Sequence, residues 1–332
     1  MNQPKAVLVG FPDSLKQAYP ESLREELAGI LELSAAEFSA EEWRANPSLV
    51  ADAQILMGTW GFPKLDADFL AAAPNLKAVF YAAGSVKGFA TEEAFERGIS
   101  ISCAYEANAI PVSEFTLGAI LLSFKRVWAS AREVREKRTY ARDLELPGGY
   151  RSKVGLVALG AIGRRVAGLL RSFDVEVWAT DPWCSPQDAA KLNAKLVSLQ
   201  ELFRGCDIVS LHAPWLPETE KMISRDLLAS MKPGATFINT ARGAVVDEDA
   251  LCSILRERPD LTAILDVTYP EPPPSESPLY DLPNLILTPH IAGSVGTEVA
   301  RMGRWMVDEC RRFLRGDQLI HAVDAAALGR MA

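Results

Sequence analysis

Only three histidines occur in this chain of 332 residues, and one of them, His290, stands between Pro289 and a run of small residues where an apolar, strand-like segment ends. A histidine so placed can serve as a general acid or base near neutral pH, or it can be a hydrogen-bonded structural ring; the residue alone does not decide. His212 follows the apolar run IVSL, and His321 lies in the terminal segment. Two further stretches share the pattern of polar residues just after a strand: NTARGAVVD (239–247) and DVTYPEP (266–272), beside TPHIAG (288–293). Read singly, Arg242 is a surface charge or an anion grip, and Glu271 a solvated loop acid or a partner for a histidine.

Such side chains need a scaffold that brings strand ends together, and residues 153–181 describe one. Residues 154–159 are almost wholly apolar, as expected of a parallel strand buried on both faces. Gly160 and Gly163 follow, then apolar residues at helical spacing (Ile162, Val166, Leu169, Leu170, Phe173), then a second strand closed by Asp181. A helix N-terminus offers unpaired N–H groups and a positive dipole end, so a pyrophosphate can sit there if no side chain blocks the backbone. Gly160 permits that approach, and Gly163 lets the helix lie close to the strand. Asp181 can accept hydrogen bonds from adenosine ribose hydroxyls, favouring NAD over NADP. The fingerprint wants a first glycine at position 158, where this chain has Ala158. The alternative is an ordinary strand–turn–helix whose glycines serve packing only.

Around this core, strand and helix patterns alternate along the chain, which predicts α/β architecture with parallel sheets. Residues 5–9, 54–57, 78–81 and 99–103 read as strands of a first unit, with helices over 14–32, 67–73 and 91–97. The stretch 108–137 reads as one long helix, 144–150 as a loop, and 297–315 as a helix near the end, with 318–323 extended. YPEPPPSESP (269–278) is a short proline-rich loop. Net charge of −8 and a pI near 5.2 argue against a nucleic-acid or anionic-membrane partner. The five cysteines are scattered and free of CxxC spacing, so they read as structural thiols of a reducing, cytoplasmic setting, with no metal site expected. The polar start MNQPKAVLVGF shows no signal-peptide pattern, and no apolar run is long enough to span a membrane.

NTARG, DVTYPEP and TPHIAG, in this order after a glycine turn and an aspartate, resemble the D-isomer-specific 2-hydroxyacid dehydrogenase family, which includes glyoxylate/hydroxypyruvate reductases and phosphoglycerate dehydrogenases. The likeness extends to APNLKAVFYAAGSV and to NAIPVSEFTLGAILL, so it covers nearly the whole chain. It implies two Rossmann-like or flavodoxin-like domains. A discontinuous substrate domain (1–104 plus 296–332) would hold an inserted NAD-binding domain (105–295), with a hinge at the two crossings. A homodimer through the cofactor domain is expected.

By the same resemblance, Arg242 grips the carboxylate and carbonyl oxygen of a small 2-keto acid, a task suited to a guanidinium fork. His290 is the general acid in reduction and the base in reverse, and Glu271 is its partner, because a neighbouring carboxylate favours the imidazolium. Ala83, Gly84 and Ser85 present backbone N–H groups to the substrate carboxylate. Trp60 either meets the substrate side chain or packs. Ala161 and Ile162 lie against the pyrophosphate with Gly160 and Gly163; His212, Ala213 and Pro214 line the cofactor groove. Thr240, Ala241 and Asp266 face the nicotinamide end, Asp266 accepting from the carboxamide, and Gly293 belongs to the same cofactor set. Ala158, and Val86–Lys87 where relatives carry an acid followed by Asn or His, depart from the pattern. The expected activity is NADH-dependent reduction of a small 2-keto acid. The alternative is an NADH-sensing, corepressor-like binding protein on the same fold; a formate-dehydrogenase-like reading is disfavoured because that branch has glutamine where this chain has Glu271.

Overall fold

The computed structural model describes residues 3–140 and 146–329. The chain divides into two units, one formed by Met1–Asn108 with Ser294–Met331 and the other by Ala109–Gly293.

The first unit is built on a sheet of β1 (Lys5–Val9), β2 (Glu32–Phe38), β3 (Ile55–Gly58), β4 (Ala78–Tyr81) and β5 (Ser100–Cys103), parallel in the order β2-β1-β3-β4-β5. Alternation along the strands fills two cores. Leu8, Ile55, Met57 and Phe80 face Leu15, Leu27, Met302 and Met306, whereas Val7, Leu56, Val79 and Ile101 face Trp43, Phe69 and Leu76. The helix expected over 14–32 is two, Pro12–Ala18 and Glu21–Ala28, parted at Pro20, and its last residue belongs to β2. β2 escapes the sequence pattern because it is a polar edge strand, ELSAAEF, with one buried residue.

The second unit carries β6 (Lys153–Val157), β7 (Glu176–Thr180), β8 (Ala194–Leu196), β9 (Ile208–Leu211), β10 (Thr236–Asn239), β11 (Thr262–Leu265) and β12 (Leu285–Leu287). All pairs are parallel, in the order β12-β11-β10-β9-β6-β7-β8. The chain starts in the middle, builds outward to β8, then returns to β9 on the other side of β6. That reversal is the topological switch at which open α/β sheets bind ligands, outside the carboxyl ends of the strands. The strands bury both faces, Val209, Leu211, Phe237 and Leu265 on one and Val154, Leu156, Ile238 and Ile264 on the other. A last strand, β13 (Ala322–Val323), returns to the first unit and lies antiparallel to β5.

The single helix expected over 108–137 is also two, Tyr105–Ser123 and Val127–Lys137, bent by 50°. Lys125 and Arg126 N–H groups reach back only three residues, to Leu122 and Ser123 carbonyls, and Arg126 takes a left-handed φ of 44°. Phe124 turns into the core at the break, which no glycine or proline announces. Of the loop expected over 144–150, Leu144 and Glu145 lie outside the described residues. No single helix among the described residues is long and apolar enough to cross a membrane.

Candidate active site

Every candidate residue of the second unit sits just past the carboxyl end of a strand. The last ladder bonds fix the register: His212 N–H donates to Val157 O, Asp266 N–H to Asn239 O and Thr288 N–H to Leu265 O.

At the end of β6 the glycine turn takes its shape from three positions. Ala158 adopts φ 75°, the left-handed conformation that glycine fills without strain, so the departure from the fingerprint is accommodated by an alanine holding a glycine-like backbone. Gly160 precedes the helix Ala161–Leu170, whose first turn has no side-chain cap, and a Cβ built on Gly160 would meet nothing within 4 Å. Gly163 is the reverse case: a Cβ there would lie 2.2 Å from the Ala158 carbonyl oxygen. One glycine therefore leaves open the approach to the orphan N–H groups, and the other lets helix and turn touch. Asp181, after β7, accepts from Leu159 N–H (2.7 Å) through one oxygen and Trp183 N–H (2.8 Å) through the other. The carboxylate is thus fixed beside the turn with lone pairs to spare. An uncapped helix end, an open glycine and an anchored acid fit the pyrophosphate and ribose of a dinucleotide.

His212, at the end of β9, is 7% exposed, and burial pushes its pKa down to about 4, so the ring is neutral at physiological pH. Its Nε2 lies 3.0 Å from Ser210 Oγ. It stands just past the end of β9, which pairs with β6 at the switch point, with Ala213 buried beside it.

After β10 the chain turns sharply at Thr240–Arg242, and Asn239, named by no motif role, shapes that turn. Its side chain is buried, accepts from Ala241 N–H at 2.9 Å and donates to the Arg242 carbonyl at 3.0 Å. Thr240 is steadied by Thr116, their hydroxyls 3.2 Å apart. Gly243 then lies so close to the β11 loop that a Cβ would fall 2.0 Å from the Thr268 carbonyl carbon. The Arg242 guanidinium donates to the Ala241 carbonyl at 2.6 Å. Burial holds its pKa below the ordinary value while the charge of Glu271 opposes that shift, which places the two ions within electrostatic reach.

The β11 and β12 loops are joined by Asp266, 1% exposed. Its carboxylate accepts from Thr288 Oγ1 (2.6 Å), Ile291 N–H (2.9 Å) and Ala292 N–H (2.8 Å). These three bonds make Asp266 fold the loop that presents His290, and they leave Oδ2 with acceptor capacity beyond the Ala292 N–H. Within that loop His290 takes φ 54°, and its N–H donates to Asp266 O. Its Nδ1 lies 2.6 Å from Glu271 Oε1. An ionised carboxylate only accepts, so Nδ1 carries the proton and Nε2 is the free nitrogen. Both side chains remain about half exposed, 48% and 41%. Gly293 follows in the same irregular segment, which runs on to the helix Glu298–Arg315. The geometry therefore gathers Arg242, Glu271 and His290 at one place, the last two in direct contact.

Trp60 and Ala83–Ser85 belong to the first unit. They follow β3 and β4, again at carboxyl ends, and β1-β3 is the switch point of that sheet. Trp60 is 37% exposed with its carbonyl accepting from Phe11 N–H at 2.7 Å. The loop after β4 has Ala83 buried, and Gly84 lies where a Cβ would be 3.5 Å from Asn108 Nδ2. All five cysteines are buried and free, and burial lifts Cys103, Cys206 and Cys310 to about 12, out of reach of thiolate chemistry near neutrality.

Comparison with known proteins points the same way. Residues 117–292 match the model of the D-isomer specific 2-hydroxyacid dehydrogenase NAD binding domain. D-3-phosphoglycerate dehydrogenase of Mycobacterium tuberculosis is 35% identical over 263 residues, 78% of this chain and 49% of that protein. The corresponding enzyme of Methanocaldococcus jannaschii is 32% identical over 272 residues, 81% of this chain and 51% of its own length. The chain spans about half the length of the curated relatives it matches. A solved structure from Thermus thermophilus aligns with a TM-score of 0.75 and 32% identity, covering 96% of this chain and 100% of that one. D-lactate dehydrogenase of Aquifex aeolicus, solved with NAD and lactic acid, aligns with a TM-score of 0.73 and 25% identity over 94% of this chain and 96% of that one. With a match to the family's NAD-binding domain that takes in the glycine turn, Arg242, Glu271 and His290, the chain belongs to the D-isomer specific 2-hydroxyacid dehydrogenase family.

Proposed function

We propose that the protein interconverts a small 2-keto acid and its D-2-hydroxy acid with NAD(H). The observation that carries this reading is the 2.6 Å contact between His290 Nδ1 and Glu271 Oε1, with Arg242 in electrostatic reach of Glu271. Glu271 holds the proton on Nδ1 and fixes the ring, which leaves Nε2 to give a proton to the carbonyl oxygen in reduction or take it from the hydroxyl in oxidation. Arg242 orients the acid: its planar fork matches a carboxylate and the adjacent carbonyl oxygen, and burial sharpens the attraction by lowering the local dielectric. When bound, NAD supplies the two-electron chemistry by exchanging a hydride with C2 of the substrate. The open backbone at Gly160 and the uncapped start of Ala161–Leu170 take its pyrophosphate, and Asp181 takes the ribose hydroxyls and disfavours a 2′-phosphate.

The finer assignments belong to the same proposal. Ala83–Ser85 receive the substrate carboxylate, and Trp60 contacts its side chain. The unit Ala109–Gly293 is the cofactor domain, and Met1–Asn108 with Ser294–Met331 the substrate domain. A homodimer through the cofactor domain is supported by the helix Val127–Lys137, which buries no residue of its own, and by Leu122 at 44% exposure.

The test is a turnover panel: purified protein with NADH or NADPH and glyoxylate, hydroxypyruvate, pyruvate or bulkier 2-keto acids, following nicotinamide absorbance. Turnover of at least one acid, with higher kcat/KM for NADH than for NADPH, is the expected result. NADH binding with no turnover of any acid would refute the enzymatic reading.

A further inference from the structure

Two exposed aromatic side chains meet beside the proposed acid–base pair, and no role assigned above uses them. Trp215, three residues past His212 in the β9 loop, and Tyr269, two residues before Glu271 in the β11 loop, have ring centroids 5.1 Å apart at 63°, an edge-on contact. They are 39% and 55% exposed, so neither is recruited by core burial. β9 and β11 are not neighbours; β10 lies between them. Strands two places apart are separated by roughly 10 Å. The rings have therefore reached toward each other past the loop that carries Arg242.

The two partners differ in how firmly they are held. Trp215 comes from a pinned loop: Thr219 Oγ1 accepts from Leu216 N–H at 2.8 Å and donates to the Pro214 carbonyl at 2.6 Å, closing residues 214–219 on themselves. Tyr269 belongs to a segment with no regular structure that must deliver Glu271 to His290. That segment has two other tethers. Tyr269 N–H donates to Glu248 Oε1 at 2.6 Å, and Thr268 Oγ1 donates to the Pro270 carbonyl at 2.9 Å. Both act on backbone, and neither fixes the outward side of the loop. An edge-on aromatic pair adds attraction beyond that of its buried area, enough to bias an exposed loop between positions.

We propose that Trp215 is a positioning residue: through Tyr269 it holds the β11 loop in the register that keeps Glu271 against His290 Nδ1. The idea rests on the acid–base reading above, and its structural half can be measured without turnover. Ring 15N shifts of the three histidines report their tautomers, and His290→Gln identifies the His290 signals. In the wild type, and in Trp215→Phe, which keeps an aromatic edge, His290 holds the Nδ1–H tautomer. Trp215→Ala and Tyr269→Ala each delete the contact, so each releases His290 to the tautomer mixture of a free imidazole, and either variant that folds suffices. His290 shifts unchanged in a folded alanine variant would overturn the proposal.

Kinetics supply the second arm. Trp215→Ala is expected to lower kcat by about 10–100-fold, the scale of a misplacement near 1 Å, with the NADH dissociation constant unchanged and Trp215→Phe close to wild type. In a Glu271→Gln background the same substitution should lower kcat no further, because the group it positions is gone. A full, additive loss in that background would assign Trp215 a structural role and sink the claim. A wild-type protein that turns over no keto acid would instead defeat the activity reading while leaving the tautomer measurement to judge the positioning claim.

Discussion

Gly163 and Gly168 lie on opposite sides of Val166 and Ala167 in the same helix, Ala161–Leu170, and alanine at the two positions should have opposite effects. In an ordinary helix interior, Gly→Ala stabilises by about 1 kcal/mol, because glycine has more backbone entropy to lose. Gly168 is exposed, and its added Cβ would meet nothing within 4 Å, so Gly168→Ala should show that gain undiluted. At Gly163 the same methyl would sit 2.2 Å from the Ala158 carbonyl oxygen, more than 1 Å inside a normal contact. The obstacle is backbone, and the residue that owns it already holds φ 75°, so neither side yields cheaply. Overpacking of this kind costs about 1–3 kcal/mol, and a backbone clash belongs at the upper end. Since the propensity gain is common to both variants, their difference isolates the steric effect: about 3 kcal/mol, or ~6–12 °C in Tm for a domain of this size. Urea or thermal unfolding of the two proteins measures it, and NADH titration should show weaker binding for Gly163→Ala alone, since the helix N-terminus must move. Equal stabilisation by both substitutions would refute the argument that Gly163 exists for close packing.

Gly160→Ala should leave stability within about 0.5 kcal/mol of wild type, since its Cβ meets no atom, yet weaken NADH binding at least about tenfold by blocking approach to the helix end; unchanged affinity in a fluorescence titration would remove Gly160 from the cofactor site. Asn239→Ala strands Ala241 N–H and the Arg242 carbonyl. The expected loss is about 2–3 kcal/mol of stability together with a raised KM for the keto acid; a KM equal to wild type would show that Arg242 is positioned without it. His212 has a folded-state pKa of about 4 against an ordinary 6.5, so the unfolded chain binds its proton first and stability falls as pH drops from 6.5 toward 4. The full effect is on the order of 3 kcal/mol, read by denaturant unfolding across that range, and a His212→Asn variant with the same pH slope would contradict it.

Much of the second unit was legible because its signals are local. Buried parallel strands read as apolar runs, and the polar residues that end them stand out against those runs, so Arg242, Glu271 and His290 were visible before any geometry. The departure at Ala158 was visible too; its consequence was not, since only the backbone angle shows that alanine copies the glycine conformation. What stayed hidden depends on contacts between distant segments. Nothing in NTARG says that the asparagine folds the arginine's turn, and nothing near Gly243 says that Thr268 passes 2.0 Å from where a side chain would begin. The motif position of Asp266 suggests a cofactor contact, but not that three donors of the loop 288–292 converge on its carboxylate. The polar edge strand β2 and the helix break at Phe124 failed for another reason: the first has no alternation to detect, and the second turns on tertiary burial of one aromatic ring.

The most direct test of the account replaces His290 by glutamine. If His290 Nε2 moves the proton while the glycine turn holds NAD, His290→Gln lowers kcat by about 10²–10⁴-fold and leaves the NADH dissociation constant as it was. A variant that turns over its keto acid at the wild-type rate, or that loses NADH binding along with turnover, would contradict the division of labour proposed between the two ends of the site.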